Sequence, residues 1–219
     1  MHKVESCVPG LHESNPVVSP LMVQDKVLAN VLGRAFHDEP NSIYVIPDGS
    51  ARLETLPSFF LEAIRLTRLH GQIDTMPKID GAALWICPGR EFAFAQMVRA
   101  GTLAISFKLG NSFKRCLKLV NSVQGVHHRL LREPHWYLMA LAVAPTERER
   151  SIESALLNTG LLRADSDGLP CYVETFRERN LRFYEENGFR IAGAGCIPGG
   201  PSFWAMIRKP RRRTVGKSS

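Results

Sequence analysis

Apolar residues recur at spacings of three and four in two segments near the start of the chain. They follow this spacing from Leu21 to Phe36 and again from about 51 to 70. The pattern predicts two amphipathic helices, the second ending at Gly71. Between the two segments, Pro40, Pro47 and the Asp48-Gly49 pair predict turns.

Short apolar segments follow, and helical spacing then returns. Residues 73–75 and 82–86 lie on either side of an Asp80-Gly81 pair, which predicts a β-hairpin. Residues 91–131 are apolar on one side and basic on the other. We interpret this stretch as a helical insert whose apolar side packs on the protein and whose basic side faces solvent.

The last third of the chain alternates strands and helices. Residues 136–143 form a continuous apolar segment, typical of a central strand buried on both faces. The elements predicted after it are a helix at 152–162, a strand at 169–175, a short helix at 179–187 ending at Gly188, and strands at 189–191 and 203–207. This order predicts an α/β protein with one strand–helix–strand crossover.

Length and composition indicate one globular domain of ordinary size. The chain has 219 residues, of which 44% are apolar and 22% charged. No apolar run approaches the roughly 18 residues of a membrane-spanning helix, so no membrane association is expected. We predict a leader at 1–16, a single domain at 17–207 and a basic tail at 208–219. The first residues lack the apolar segment of a secretory signal, and a cytoplasmic protein is expected.

The positive charge is concentrated at the C-terminus. The formal net charge is +7, from 28 basic and 21 acidic residues. Six of the basic residues lie from Arg208 onward, and without them 22 basic residues face 21 acidic ones. A nucleic-acid-binding domain carries a basic stripe on the fold itself, so any such binding is expected only through the tail.

The cysteines do not indicate a metal site or a disulfide framework. The chain has five, an odd number, and no Cys-x-x-Cys pair occurs. This usage is typical of a protein from a reducing compartment. We assign no metal ligand to any of them.

Two motifs in the last third identify a family. Residues 141–145 have the sequence L-A-V-A-P, and residues 180–189 have the sequence N-L-R-F-Y-E-E-N-G-F. With the crossover between them, they resemble the Gcn5-related N-acetyltransferase superfamily over about 135–192. In that superfamily an L-x-V-x-P strand is followed by a pyrophosphate loop, a helix, a second strand and N-x-x-F-Y-x-x-x-G-F.

The resemblance implies both a fold and an activity. The fold is a mixed central sheet with a splayed pair of parallel strands and helices on both faces. The activity is direct transfer of an acetyl or other acyl group from acetyl-CoA to a primary amine. The implied partners are thus an acyl-CoA and an amine, and the insert at 91–131 would influence which amine is accepted.

The resemblance also implies a set of cofactor-binding residues. The pantetheine arm of acetyl-CoA has two amides and can pair with a strand like an added strand. The pyrophosphate would lie on the N-terminus of the following helix, where free backbone amides attract anions. The residues implied are Leu141, Ala142, Val143, Arg148, Glu149, Arg150, Ser151, Ile152, Glu153, Ser154 and Asn180.

The pyrophosphate loop departs from the family pattern Q/R-x-x-G-x-G/A. Ser151 stands at the first glycine position and Glu153 at the second, where a side chain obstructs close approach of backbone and phosphate. Residues 146–149, with the sequence T-E-R-E, also match a capping box that would occupy the same amides. The alternative function is therefore a catalytically weak or inactive binding or regulatory protein with this fold.

Three residues are candidates for proton transfer. By resemblance, Tyr184 is the general acid that protonates the departing thiolate; the alternative is a tyrosine that only packs in the core. Asn180 either binds the cofactor or caps the short helix. The base that deprotonates the amine is either Glu174 or His135, and Glu174 ranks higher because strand ends line the crevice of open α/β sheets.

Overall fold

A computed structural model describes residues 20–76, 78–90, 112–144 and 150–211. The predicted leader and residues 91–111 of the predicted insert lie outside the described residues. The helices are α1 (Pro20–Ala35), α2 (Pro40–Val45), α3 (Gly49–His70), α4 (Ser112–Leu130), α5 (Arg150–Asp167) and α6 (Leu181–Glu186). The strands are β1 (Gly71–Thr75), β2 (Gly81–Ile86), β3 (Trp136–Val143), β4 (Cys171–Thr175), β5 (Arg190–Cys196) and β6 (Ser202–Arg208).

The strands form one mixed sheet of six strands in the order β1-β2-β3-β4-β6-β5. Only β3 and β4 are parallel, and the other neighbouring strands are antiparallel. The crossover between β3 and β4 contains α5, as the strand–helix–strand pattern predicts. The predicted fold class, a mixed central sheet with a parallel strand pair, is confirmed.

Helices cover both faces of the sheet. Successive side chains of a strand point to opposite faces, and here both faces carry apolar side chains. On one face, α1 and α3 pack on Ala82, Leu84, Ala140 and Ala142, and α4 packs beside them. On the other face, α5 and α6 pack on side chains that include Trp85, and the core there extends to Phe189. The small residues beneath α1 and α3 allow two helices to lie close to the strands.

Three elements differ from the sequence-based expectations. The segment predicted as turns around Pro40 contains the short helix α2, which has a proline in its first turn, where a missing N–H costs nothing. The strand predicted at 189–191 continues to Cys196 as β5. Arg208, counted with the tail, is instead the last residue of β6 and is buried, with its guanidinium paired to Asp165 at 2.7 Å.

Gly160 marks the closest approach of α5 to the sheet. A Cβ atom placed there would lie 2.1 Å from Cε2 of the fully buried Trp85. We expect Gly160→Ala to destabilise the protein, because overpacking costs about 1–3 kcal/mol and exceeds the roughly 1 kcal/mol that alanine gains in a helix. The measurement is the free energy of unfolding in urea.

Gly125 in α4 is the matched control for this substitution. A Cβ atom at Gly125 would meet nothing within 4 Å, so Gly125→Ala should stabilise the protein by up to about 1 kcal/mol. If Gly160→Ala proves as stable as wild type, the close packing of α5 on Trp85 is incorrect.

Candidate active site

The parallel strands β3 and β4 separate partway along their length. They pair from Trp136 to Leu138 on β3 and from Cys171 to Val173 on β4, and no pairing follows. At this point β3 contains a bulge: Trp85 of β2 is opposite Leu138, while Leu84 is opposite Ala140. The extra residue bends a strand and increases its twist, which accounts for the separation.

A cavity of about 550 Å³ opens at this separation. It receives side chains from both faces of the sheet, since Glu174 lies on the α4 face with Tyr172, and Tyr184 belongs to the core under α5. The gap between β3 and β4 therefore joins the two sides of the sheet at one site. The predicted site residues that line the cavity are Leu141, Ala142, Val143, Glu153, Glu174, Asn180 and Tyr184.

Tyr184 lies both in the core and at the wall of the cavity. Its ring packs edge-on against Phe183 and Phe189, with centroids 5.3 Å and 5.6 Å away. It also lines the cavity. Burial, and then the negative charges of Glu153 and other nearby carboxylates, raises the pKa of its phenol above the usual value. The phenol is consequently protonated at neutral pH and can donate a proton.

Glu174 lies immediately after Val173, the last residue of β4 that pairs with β3. Its backbone pairs with Ala205 of β6, while the opposite edge of β4 faces the gap. The side chain is only 5% exposed. Burial raises the pKa of this carboxyl to about 7, although the phenols of Tyr137 and Tyr172 oppose the shift. A carboxylate with a pKa close to neutral can take up a proton and release it again.

His135 does not line the cavity. It precedes β3 at the paired end of the two strands and is buried. Its Nε2 atom lies 2.7 Å from Nε2 of His127, whose Nδ1 atom lies 3.8 Å from Oε1 of Glu174. The two candidate bases are thus linked through His127 of α4, which the sequence analysis did not single out.

Asn180 does not cap the short helix with its side chain. Its amide donates a hydrogen bond to Oγ1 of Thr175 at 3.3 Å, which ties the start of α6 to the end of β4. The side chain lines the cavity next to the gap. Of the two roles predicted for Asn180, helix capping is wrong.

The known proteins that this chain resembles in sequence and in structure are acetyltransferases. No protein-family model matches the chain. An uncharacterized N-acetyltransferase of Schizosaccharomyces pombe is 24% identical over 172 residues, which cover 75% of this chain and 70% of that protein. The histone acetyltransferase and related acetyltransferase of Corynebacterium glutamicum has a TM-score of 0.57 at 25% identity, over 88% of this chain and 94% of that one.

A mosquito arylalkylamine N-acetyltransferase-like protein shares the same fold. Its structure has a TM-score of 0.57 at 15% identity, over 86% of this chain and 96% of that one. These similarities support the assignment of the chain to the Gcn5-related N-acetyltransferase superfamily. Enzymes of this superfamily generally use acetyl-CoA as the acetyl donor.

The residues aligned with the superfamily's pyrophosphate loop differ from one another in exposure, and some of them lie outside the described residues. Arg148 and Glu149, like the capping-box segment 146–149, lie outside the described residues, as does the side chain of Arg150. Ser151 is exposed, and Ser154 is half-buried. The side chain of Ile152 is half-buried and packs on the core under α5.

Glu153 is the loop residue that lines the cavity. It lies in the first turn of α5, and its negative charge contributes to the raised pKa of Tyr184. Glu153 and Tyr184 therefore line the same cavity and interact electrostatically. In this superfamily member, an acidic side chain stands where the family pattern has glycine or alanine.

The described residues show two further features of this superfamily member. Within the described ranges, no helix is both long and apolar enough to cross a membrane. No group of three or more His, Cys, Asp or Glu residues is placed to hold a metal ion in that part of the chain.

Proposed function

We propose that the protein transfers an acetyl group from acetyl-CoA directly to a primary amine. The observation that carries this proposal is the gap in the sheet. Beyond Leu138 and Val173, no described residue pairs with the backbone of β3 on its β4 side, and this edge opens on a cavity lined by Glu174, Asn180 and Tyr184.

The unpaired edge of β3 suits the pantetheine arm. Backbone N–H and C=O groups at Leu141, Ala142 and Val143 can bond to its two amides in the way that an added strand pairs. This explains why a sheet would leave backbone groups unpaired at its centre, where they normally cost free energy. The side chains of the same residues pack in the core or line the cavity, so binding and packing do not compete.

Two side chains supply the proton transfers. The amine nitrogen attacks the thioester carbonyl carbon, a C–N bond forms, and the C–S bond breaks. Glu174 accepts the proton that the nitrogen loses, and Tyr184 donates a proton to the sulfur of the departing thiolate. Because Glu174 and Tyr184 lie on opposite faces of the sheet, the proposed base and the proposed acid approach the gap from different sides.

The cavity lining favours a cationic amine with an apolar body. Its described aromatic residues are Phe36, Phe59, Phe60, Phe176 and Phe183, with His127, Tyr137 and Tyr184. Its described carboxylates are Glu39, Glu62, Glu153 and Glu174. Glu39 and Glu62 form ion pairs with Arg177 and Arg65, each at 2.6 Å, so Glu174 beside the gap is the carboxylate that we expect an amine to meet. The mosquito relative, an arylalkylamine N-acetyltransferase-like protein, agrees with this expectation.

Calorimetry and an activity assay together test the proposal. The full chain should bind acetyl-CoA and its unreactive analogue desulfo-CoA with one-to-one stoichiometry. With acetyl-CoA and a panel of aryl, alkyl and polyamine acceptors, thiol release should depend on the amine. Absence of binding to either nucleotide would overturn the proposal, and binding without amine-dependent thiol release would favour the non-catalytic alternative.

Glu153 allows a sharper test of cofactor binding. Its charge lies near the expected pyrophosphate, and at about 5 Å with an effective dielectric near 20 the repulsion is roughly 3 kcal/mol per charge pair before screening. If about 1–3 kcal/mol survives, Glu153→Gly should bind acetyl-CoA roughly 5- to 150-fold more tightly, and more so at low salt. The measurement is the calorimetric Kd at two salt concentrations.

Glu153→Gln separates charge from bulk in this experiment. Glutamine keeps the size of the side chain and removes its charge, so the gain it shows is the electrostatic share. An unchanged Kd in Glu153→Gly, with tight binding by the wild type, would mean that acetyl-CoA approaches α5 in another way.

The non-catalytic alternative rests on the same residue. Because Glu153 lines the cavity, the wild type would bind acetyl-CoA weakly if the repulsion is not offset by Arg148 or Arg150. A protein that gains amine acetylation only on Glu153→Gly would be a binding or regulatory member of the superfamily.

A further inference from the structure

We propose that His127 and His135 form a proton relay that carries the amine's proton away from Glu174. This inference rests on the proposed function, because it assigns a destination to the proton that Glu174 accepts. The relay joins the two residues that the sequence offered as alternative bases, and His127 is the link between them. Neither imidazole needs to touch the amine.

The backbone oxygen of Glu133, which accepts a hydrogen bond at the His135 end of the relay, determines which nitrogen atoms carry protons. Nδ1 of His135 lies 2.7 Å from the backbone oxygen of Glu133, and a carbonyl oxygen can only accept, so Nδ1 carries the proton. The Nε2 atom of a neutral His135 is then an acceptor, and Nε2 of His127, 2.7 Å away, must donate to it. Nδ1 of a neutral His127 is therefore left as a lone pair, 3.8 Å from Oε1 of Glu174.

This arrangement permits a balanced transfer of one proton. The protonated carboxyl of Glu174 gives its proton to Nδ1 of His127, while His127 gives its Nε2 proton to Nε2 of His135. Glu174 returns to a carboxylate, His127 is neutral with its proton moved to the other nitrogen, and His135 becomes an imidazolium. A shift of about 1 Å brings Glu174 and His127 within hydrogen-bond distance.

The environment of His127 suits a residue that passes a proton without holding a charge. Burial, with the neighbouring His135 and His128, lowers the pKa of His127 to about 3, so its imidazolium form is strongly disfavoured. In the concerted transfer this form never accumulates. The ring is held in place by stacking on Tyr172, with centroids 3.7 Å apart and planes inclined by 5°.

Among the described residues, two neutral phenols and one further histidine flank the relay. Tyr137 contacts the His127 ring from β3 and Tyr172 from β4, and burial raises the pKa of both phenols above the usual value. Neither phenol therefore ionises near neutral pH. His128, on α4 beside His127, is exposed. The carboxylate that faces the relay is Glu174.

The kinetic test uses His127→Gln, which keeps a hydrogen-bond donor and acceptor but cannot pass a proton. We expect kcat to fall roughly 10- to 100-fold, less than on loss of the base itself, with KM unchanged. The dependence of the wild-type rate on the deuterium content of the solvent should be more strongly curved than that of His127→Gln, because two further protons move in the relay. His128→Gln, the matched control on the same helix, should behave as the wild type.

A second measurement does not depend on acetyl transfer. In long-range ¹H–¹⁵N NMR spectra of the resting wild type around neutral pH, His127 should carry its proton on Nε2 only, and a neutral His135 on Nδ1 only. A proton on Nδ1 of His127 in that state would overturn the relay, as would wild-type kcat and an unchanged isotope dependence in His127→Gln. Failure of the proposed function would instead appear as full activity in Glu174→Gln, which leaves the NMR result standing.

Discussion

Glu174→Gln should lower kcat/KM by roughly 10²- to 10⁴-fold, the usual contribution of a general base. The amide has almost the shape of the carboxylate but cannot accept the proton of the attacking amine. The raised pKa of Glu174, about 7, also fixes the pH dependence. Activity of the wild type should rise with pH up to about 7 as the carboxylate ionises, and this limb should be absent in Glu174→Gln.

The same substitution should stabilise the protein above pH 7, although it lowers activity. The pKa of Glu174 is raised from 4.5 to about 7 on folding, so its contribution to stability is complete below pH 4.5 and is lost as the pH rises through 7. Above pH 7 the wild type therefore carries a destabilising buried charge that glutamine lacks. The melting temperature of Glu174→Gln, relative to that of the wild type, should be higher at pH 8 than at pH 5.

Glu178→Gln is the matched control for both measurements. Glu178 lies four residues further along and is exposed, outside the cavity lining. Its substitution should leave both the pH–rate profile and the melting temperature nearly unchanged. If activity still rises with pH up to about 7 in Glu174→Gln, the base is another residue.

Tyr184→Phe should lower kcat roughly 10- to 1000-fold under conditions where chemistry limits the rate. The substitution removes only the hydroxyl, and the packing of the ring against Phe183 and Phe189 is retained. Affinity for acetyl-CoA should therefore change little. Because the pKa of Tyr184 is raised, ionisation of this phenol should not limit the wild type below about pH 10.

Tyr44→Phe controls for the loss of a phenol elsewhere in the molecule. The hydroxyl of Tyr44 donates to the backbone oxygen of Pro198, and the residue lies outside the cavity lining. Steady-state kinetics of the two variants, measured with the same amine, give the comparison. Wild-type turnover in Tyr184→Phe would mean that the thiolate receives its proton from water or from another side chain.

Elements whose signal lies in local sequence were predictable. The continuous apolar segment at 136–143 is β3 at the predicted residues, and Gly188, where the short helix was predicted to end, has a φ of 90°. The motif around Tyr184 also placed this residue in the cavity. In each case the pattern within a few residues determines the local structure.

Features that depend on distant partners were not predictable. Nothing in the apolar run of β3 marks the bulge at Met139, which appears only in the register with β2. His127 occupies an ordinary position of an amphipathic helix, and its role depends on the packing of α4 against Tyr172 and Glu174. Arg208 looked like part of a basic tail because its partner, Asp165, lies 43 residues away.

Hydrogen–deuterium exchange with and without acetyl-CoA tests the central claim most directly. If the pantetheine arm pairs with the open edge of β3, backbone amides within Met139–Val143 should gain protection on addition of acetyl-CoA, together with residues 174 and 175 of β4. Desulfo-CoA should give the same pattern, since it retains the pantetheine amides. The account would be contradicted if only other segments gained protection, or if the exchange of the amides beside the gap were unchanged at saturating acetyl-CoA.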